Sequence, residues 1–180
     1  MAQRKYGRIG GLVIGFVVGL VLGGLWPQTP LHAVSTDRAQ NIVITTGLVD
    51  QNVEAVFYLD SLTGLLRGGV SAWGSKLTTQ ASWGANVAAD MTAARERLGI
   101  KHPSEPRYVM VTGLIDLRAQ SGQIKAGKSL VYVAEVNSGL LLAYMIPWST
   151  NLHESNKPYQ GQLVLWNAMP MVTGAIRDRE

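Results

Sequence analysis

Two acidic positions occur twice in this chain and are the residues best suited to chemistry. Asp50 ends the segment Thr46-Gly-Leu-Val-Asp50, which returns as Thr112-Gly-Leu-Ile-Asp116, and Asp60 has its counterpart in Glu135. Two carboxylates that flank a cleft can act as general acid and base in a hydrolysis. Asp60 and Glu135, however, stand where turns are expected, and we predict structural roles for them. Asp50 and Asp116 end predicted strands, which also suits a structural role, and they remain a candidate acid pair.

A second chemical motif is the phosphate-loop pattern G-x-x-x-x-G-K-[ST], which the segment from Gly122 to Ser129 satisfies. A functional phosphate loop needs a helix after it, because the helix N-terminus and the backbone N–H groups hold the phosphates. Here Ser129 opens the run Leu-Val-Tyr-Val-Ala, whose composition is that of a strand. Nucleotide binding is therefore only the third functional hypothesis.

Metal and cofactor sites are not predicted. His32, His102 and His153 lie far apart in the sequence, and none has the i, i+4 spacing of a helical metal pair. The chain contains no cysteine, which excludes disulfides and thiolate sites. Nucleic-acid binding is not predicted either, because the positive charge is concentrated in the first eight residues and the remainder is close to neutral.

The N-terminal region has the features of a membrane anchor. The stretch from Ile9 to Trp26 carries no charge and would be about 27 Å long as a helix, close to the minimum for crossing a bilayer. A basic segment, residues 1–8, precedes it, and Trp26 favours the membrane interface, so the N-terminus should be cytoplasmic. We predict a single-pass protein of the bacterial inner membrane with a linker over 27–40 and an extracytoplasmic domain. A signal peptide cleaved after Ala33 is the alternative.

Glycine recurs at every fourth position of the predicted anchor, at Gly11, Gly15, Gly19 and Gly23. This G-x-x-x-G spacing lets two helix backbones approach closely in lipid. The pattern predicts helix association and a homo-oligomer, although small residues are also common in membrane helices for compositional reasons. The bilayer and a second copy of the chain are thus the expected partners.

The exported part, residues 41–180, is organised by an internal duplication. The segment Val53–Arg67 returns as Lys128–Leu142, so that Phe57 corresponds to Tyr132. We place the repeats at 41–70 and 107–146, the second with a connecting loop nine residues longer, and a partial third at 162–176. Each hairpin turns with an acid as cap and a left-handed glycine, in the pairs Asp60 with Gly64 and Glu135 with Gly139.

The remaining elements complete a β-dominated α+β fold, an exported antiparallel β domain with one short helix. That helix is predicted over Asn86–Leu98, with Asn86 as N-cap, Gly99 as stop, and Val87, Met91, Ala94 and Leu98 on its buried face. A looser hairpin is expected between Trp73 and Trp83, and the last strands at Gln162–Asn167 and Met171–Ile176 after an irregular tail. The hairpin strands are apolar on both faces, so we expect both faces to be covered.

The segment from Val56 to Arg67 resembles the blade motif of quinoprotein-like β-propellers, in which an aromatic-x-Leu-Asp strand turns at Thr-Gly into a second strand. The resemblance implies the hairpin and not the quinone cofactor, because two copies and a fragment cannot close a ring of roughly four to eight blades. Together with the anchor, the segments His32–Asp37, Tyr58–Asp60 and Lys128–Glu135 resemble short membrane-anchored exported proteins of planctomycetes. This second resemblance implies compartment and architecture and no particular activity.

The function predicted from the sequence is that of a membrane-anchored binding or assembly module without catalysis. An exported hydrolase that uses Asp50 and Asp116 is the alternative. Nucleotide binding through Gly122–Ser129 comes third.

Overall fold

The computed structural model describes residues 36–39, 41–72, 78–116, 122 and 124–171 of the chain. The predicted anchor, its four glycines and most of the linker lie outside these residues, as do Trp73 and residues 172–176 of the partial third repeat. Within the described ranges, no helix has both the length and the apolar character needed to cross a membrane.

The described residues form two β-sheets and two helices, so the prediction of a β-dominated fold with few helices is confirmed. The first sheet contains, in spatial order, β1 (Thr36–Ala39), β2 (Ile42–Asp50), β3 (Val53–Asp60), β4 (Leu65–Ser71), β5 (Thr79–Asn86) and β9 (Tyr159–Gln162). The second contains β10 (Val164–Pro170), β8 (Leu140–Trp148), β7 (Lys125–Glu135) and β6 (Tyr108–Leu114). The helices are α1 (Val87–Leu98) and α2 (Thr150–Glu154). Every strand pair is antiparallel except β5 with β9.

The duplication is visible in the pairing register of the two sheets. In the first hairpin Leu59 pairs with Leu66, and in the second the equivalent residues Ala134 and Leu141 pair. The correspondence extends to a fourth strand, since β5 pairs with β4 in the register in which β10 pairs with β8. The structural repeats are therefore β2-β3-β4-β5 and β6-β7-β8-β10, larger than the ranges predicted from sequence identity.

The two hairpin turns have the same backbone conformation. Gly64 and Gly139 adopt φ angles of +67° and +65°, the left-handed region in which a side chain is strained. Their N–H groups donate to the carbonyl oxygens of Asp60 and Glu135 over 2.8 Å and 2.9 Å. Each turn is thus a four-residue loop that ends in a left-handed glycine, and the pairing register shows no bulge beside it.

The two sheets approach each other most closely where the first strands of the repeats meet. The Thr112 hydroxyl donates a hydrogen bond to the carbonyl oxygen of Thr46, its equivalent in the first repeat. A Cβ atom at Gly47 would lie 2.7 Å from the Thr112 side chain, so glycine is required for this contact. The two repeats therefore pack through equivalent strands at this corner.

The core between the sheets is centred on stacked aromatic rings. Trp83 of β5 lies 6.3 Å from Phe57 and 6.2 Å from Trp148, measured between ring centroids. Its indole N–H donates to the Pro147 carbonyl over 2.9 Å, so this buried polar group has a hydrogen-bond partner inside the protein. This contact joins β5 of the first sheet to β8 of the second.

Helix α1 begins and ends as predicted. The Asn86 side chain accepts a hydrogen bond from the Ala89 N–H at 3.0 Å, and Gly99 ends the helix with a φ angle of +67°. Val87, Met91 and Ala94 are buried as expected. The prediction for Leu98 was wrong, because this residue is exposed and the charged Arg95 occupies the buried face instead.

Three further expectations were wrong. The predicted strand Gln162–Asn167 is divided at Leu163 into β9 and β10, which belong to different sheets because the chain crosses between them there. The tail predicted as irregular contains α2 and β9. Among the described residues, the outer face of β3 is also not covered, since Val56 and Tyr58 are exposed although both side chains are apolar in character.

Candidate functional site

The first acid of the turn pair, Asp60, lies at the surface and caps its own turn. Its carboxylate accepts hydrogen bonds from the Thr63 hydroxyl at 2.8 Å and from the backbone N–H of Leu62 at 2.9 Å. These hydrogen bonds, that of Thr63 first, lower the pKa of Asp60. The carboxylate is therefore ionised and engaged locally, as a turn cap requires.

The second acid, Glu135, caps its turn in the same way but inside the protein, with 0% of its surface exposed. It accepts backbone hydrogen bonds from Arg107 at 3.1 Å, Asn137 at 3.0 Å and Ser138 at 2.7 Å. Burial raises its pKa, but the hydrogen bonds from Ser138, Arg107 and Asn137 outweigh that effect, so the pKa of Glu135 is lowered. A buried carboxylate is thereby kept ionised.

The partner of this buried carboxylate is Arg95 of α1, which sequence reasoning missed. An Arg95 guanidinium nitrogen lies 3.3 Å from the Glu135 carboxylate, and both side chains are inaccessible to solvent. One further polar contact fixes the same helix, because the buried Tyr144 hydroxyl donates to Asp90 over 2.8 Å. Burial, followed by the Asp90 carboxylate, raises the pKa of Tyr144 far above its ordinary value. These residues hold α1 against the second repeat and offer no open site.

The candidate catalytic residue Asp50 is at the rim of a small cleft of about 270 Å³. Its carboxylate accepts hydrogen bonds from the Trp148 indole at 2.8 Å and from the Thr150 hydroxyl at 2.7 Å. Burial raises the pKa of Asp50, but these hydrogen bonds and the charge of Lys128 outweigh it, so the pKa is lowered. An ionised carboxylate held by two donors suits positioning of β8 and α2 better than proton donation.

The second acid of that pair, Asp116, does not occur among the described residues that line the cleft. It follows β6, beside the point where the Ile115 N–H donates to the Lys128 carbonyl over 2.9 Å. The structure therefore does not place the two carboxylates together in this cleft.

The phosphate-loop pattern lies at the same cleft without the geometry of a phosphate loop. Gly122, Lys125 and Lys128 contribute to the cleft lining. Lys125 to Ser129 belong to strand β7, so no helix N-terminus follows the two lysines. The backbone donors and the helix dipole that hold nucleotide phosphates are thus missing at this motif.

A larger concave surface lies on the outer face of the first sheet, over β4, β5 and β9. This groove has a volume of about 800 Å³. The pairing register places Arg67, Gly84 and Gln162 in one row across it, and Gly69, Ser82 and Gln160 in the next. Sequence reasoning missed the groove, because its residues are ordinary polar types and glycines from three distant segments.

The second sheet has an apolar outer face, and β10 is its edge strand among the described residues. Its register aligns Val109, Ala134, Leu141 and Met169 in one outward-facing row, which no described element covers. At the edge, β10 exposes Val164 at 44% and Trp166 at 54% of their surface. Trp166 is the extra residue at a β-bulge between Leu165 and Asn167.

In the part of the chain that the structure describes, no cluster of three or more His, Asp or Glu side chains is arranged to hold a metal ion. Comparison of the chain with protein-family models, with curated proteins and with solved structures finds no match.

Proposed function

We propose that this protein is a membrane-anchored, exported assembly module without catalytic activity, and that two copies associate through the free edges of strand β10. The observation that carries the proposal is the seven-residue β10, which has no charged residue and on whose outer edge no described strand pairs. Pairing of β10 with the β10 of a second copy would be antiparallel and symmetric, which is the arrangement that a two-fold axis generates. It would join the two second sheets and make their apolar outer faces continuous.

The other three edge strands carry the protection that proteins use against unwanted pairing. β1 and β9 have only four residues each, and β1 also contains Asp37 and Arg38. β6 lies against β2 at the contact between Thr112 and Gly47.

β10 carries a bulge at Trp166 and ends at Pro170, but it has no charged residue. It has seven residues, and the sequence from Pro158 to Ile176 carries no Asp, Glu, Lys or Arg. Pro170, which cannot donate a backbone hydrogen bond, stands only at the last position of the strand. Two copies can therefore approach along β10 without repulsion between charged side chains.

The predicted membrane anchor supports the same assembly. Two chains held in one bilayer have a higher effective concentration than two chains in solution, so a modest edge-to-edge interface suffices for association. The glycines at Gly11, Gly15, Gly19 and Gly23 would let the anchors pack closely beside it.

A matched pair of lysine substitutions tests this proposal on the full chain in mild detergent. Val164 lies on the edge strand β10 and is 44% exposed. Val136 is similarly exposed, at 50%, but lies in the turn between β7 and β8. We expect Val164→Lys to weaken association roughly tenfold or more, because a charge at a pairing edge must be desolvated. Val136→Lys should associate like the wild type. Light scattering after size-exclusion chromatography measures the mass of each variant.

Two further variants separate the contributions of edge and anchor. The absence of cysteine allows single cysteines to be placed along β10, and a symmetric antiparallel pair should form a disulfide only near its centre. Gly15→Leu combined with Gly19→Leu should weaken association without unfolding the exported domain. A wild-type protein that is monomeric by both cross-linking and light scattering would overturn the assembly proposal.

An exported hydrolase remains the second candidate, because Asp50 faces a cleft that also contains Lys125 and Lys128. Asp50→Asn would abolish turnover in such an enzyme while the protein stays folded. In an assembly module the same change weakens the hydrogen bonds to Trp148 and Thr150 and lowers stability, which a denaturation curve detects.

A further inference from the structure

We propose that the groove on the outer face of the first sheet is a binding site for an extended, uncharged polysaccharide chain. Strand β10 contributes Leu165 to the lining of the groove, and the inference does not depend on self-association. It depends on the shape of the groove, on the side chains that line it and on the backbone beneath it.

The floor of the groove is formed by two glycines that face outward. A Cβ atom at Gly84 would meet only the Leu66 carbonyl oxygen, at 3.8 Å. One at Gly69 would come no closer than 3.5 Å to any atom. Neither glycine has a positive φ angle. The fold thus requires glycine at neither position, and what the two glycines provide is open space above the sheet.

The inward-facing Gly68 shows the contrast. Its Cβ would lie 2.5 Å from the Phe57 ring, so that glycine is required for packing of the core. Glycine in a strand interior weakens the strand and often marks close approach of another molecule. At Gly69 and Gly84 no described residue approaches so closely on the outer face, which leaves room for an external molecule.

Two amide side chains and a guanidinium group flank this floor. Gln160 and Gln162 on β9 are exposed, and among the described residues neither side chain is hydrogen-bonded to another protein group. Arg67 forms the opposite side, next to Tyr58 in the register of β3 and β4. Amide groups both donate and accept, as sugar hydroxyls do, and the planar Arg67 and Tyr58 groups can lie against the apolar face of a sugar ring.

The charge of the groove favours an uncharged ligand. Its charged lining residues are Arg67 and Asp90, one of each sign, and the Asp90 carboxylate already accepts the Tyr144 hydroxyl. A polyanion would require several cations along its path. The volume of about 800 Å³ lies in the range of roughly 300–1,000 Å³ that is usual for ligand sites.

The position of the groove within the sheet disfavours a peptide. A bound peptide usually adds as a strand to a sheet edge, where backbone groups are free. Here the floor strands β4 and β5 are paired on both sides, β4 with β3 and β5, and β5 with β4 and β9. Recognition must therefore come from side chains: Gln160 and Gln162 can bond hydroxyl groups, and the leucines at 65 and 165 add apolar surface.

The test uses the full chain immobilised in lipid nanodiscs and a panel of defined probes. Neutral oligosaccharides of increasing length (cello-, chito-, malto- and xylo-series) are compared with polyphosphate and with an uncharged extended peptide. Gly84→Leu fills the groove without a clash at the backbone, and Gln162→Ala removes one amide without adding volume. Thr46→Leu is the matched control, because it adds the same side chain to the same face of the sheet, two strands from Gly69.

We expect at least one neutral series to bind wild type with affinity that rises with chain length. Gly84→Leu should lower that affinity roughly tenfold or more, Gln162→Ala should lower it by a smaller factor, and Thr46→Leu should leave it unchanged. Unaltered urea midpoints would show that the variants remain folded. The proposal is overturned if no neutral series binds at millimolar concentration, if only polyphosphate or the peptide binds, or if Gly84→Leu binds like the wild type.

Discussion

The two turn acids occupy equivalent positions in the repeats, and exchanging each for its amide isolates the effect of burial. Asp60→Asn alters an exposed cap whose partners can turn to water. Glu135→Gln alters a cap with three backbone donors and a buried guanidinium beside it. Both substitutions preserve side-chain length and remove one negative charge. We expect them to differ widely in their cost to stability.

The magnitude for Glu135→Gln follows from the surroundings of Arg95. Only 4% of that side chain is exposed, so the guanidinium cannot recover water when its carboxylate partner loses its charge. Removing one member of a buried ion pair costs about 3–5 kcal/mol, because the remaining charge is left uncompensated. This is a large fraction of the roughly 5–15 kcal/mol by which folded proteins are stable. Asp60→Asn should have a much smaller effect.

Urea denaturation of the full chain in mild detergent, followed by tryptophan fluorescence, measures both variants under the same conditions. A double variant, Arg95→Met with Glu135→Gln, should be more stable than Glu135→Gln alone, because it removes the uncompensated guanidinium while the Gln amide oxygen still accepts backbone hydrogen bonds. The reasoning fails if Glu135→Gln and Asp60→Asn cost the same, or if the double variant is the least stable of the three.

Three further predictions address acidity, turn geometry and topology. Folding lowers the pKa of Glu135, so its carboxylate stabilises the fold above the ordinary glutamate pKa of about 4.3. This stabilisation is lost as the pH falls through the pKa of Glu135 in the folded protein. The loss of stability caused by Glu135→Gln should therefore become smaller on acidification. Gly64→Val and Gly139→Val should each cost about 1–2 kcal/mol or more of folding stability in urea denaturation, because both glycines have left-handed φ angles and a Cβ at Gly64 would also lie 2.5 Å from Ala88. Protease outside intact inner membranes should digest residues 41–180 while untreated protein stays in the membrane pellet, and a soluble form that begins near Val34 would contradict the anchor.

Several features could be predicted from the sequence because they are local. A left-handed glycine after a capping acid fixes the hairpin turn, and an N-cap with a glycine stop fixes the ends of α1, whatever lies around them. The duplication can be recognised from the residues that the two segments share, and the corresponding strands pair in the same register. These parts of the fold depend on interactions between residues that are neighbours in the chain.

Only the tertiary structure decides which residues meet across the repeats. Arg95 looks like an ordinary surface cation of α1 in the sequence, and its burial follows from Glu135, which the second repeat brings to the same place. The division of the last strand at Leu163 also follows from how the two sheets pack. Sequence identity could not show that β10 corresponds to β5 as the fourth strand of a repeat. The two strands differ in sequence, and only their pairing with β8 and β4 shows that they are equivalent.

The groove of the first sheet and the edge strand β10 could not be recognised from the sequence either. In the sequence, the groove glycines Gly69 and Gly84 cannot be distinguished from Gly68. Gly68 faces the core and is required for packing, whereas the other two face outward and leave open space above the sheet. The uncharged run around Val164 is visible in the sequence, whereas its place at a free edge is not. Residue types determine what a surface could bind, and the packing of distant strands determines whether that surface exists.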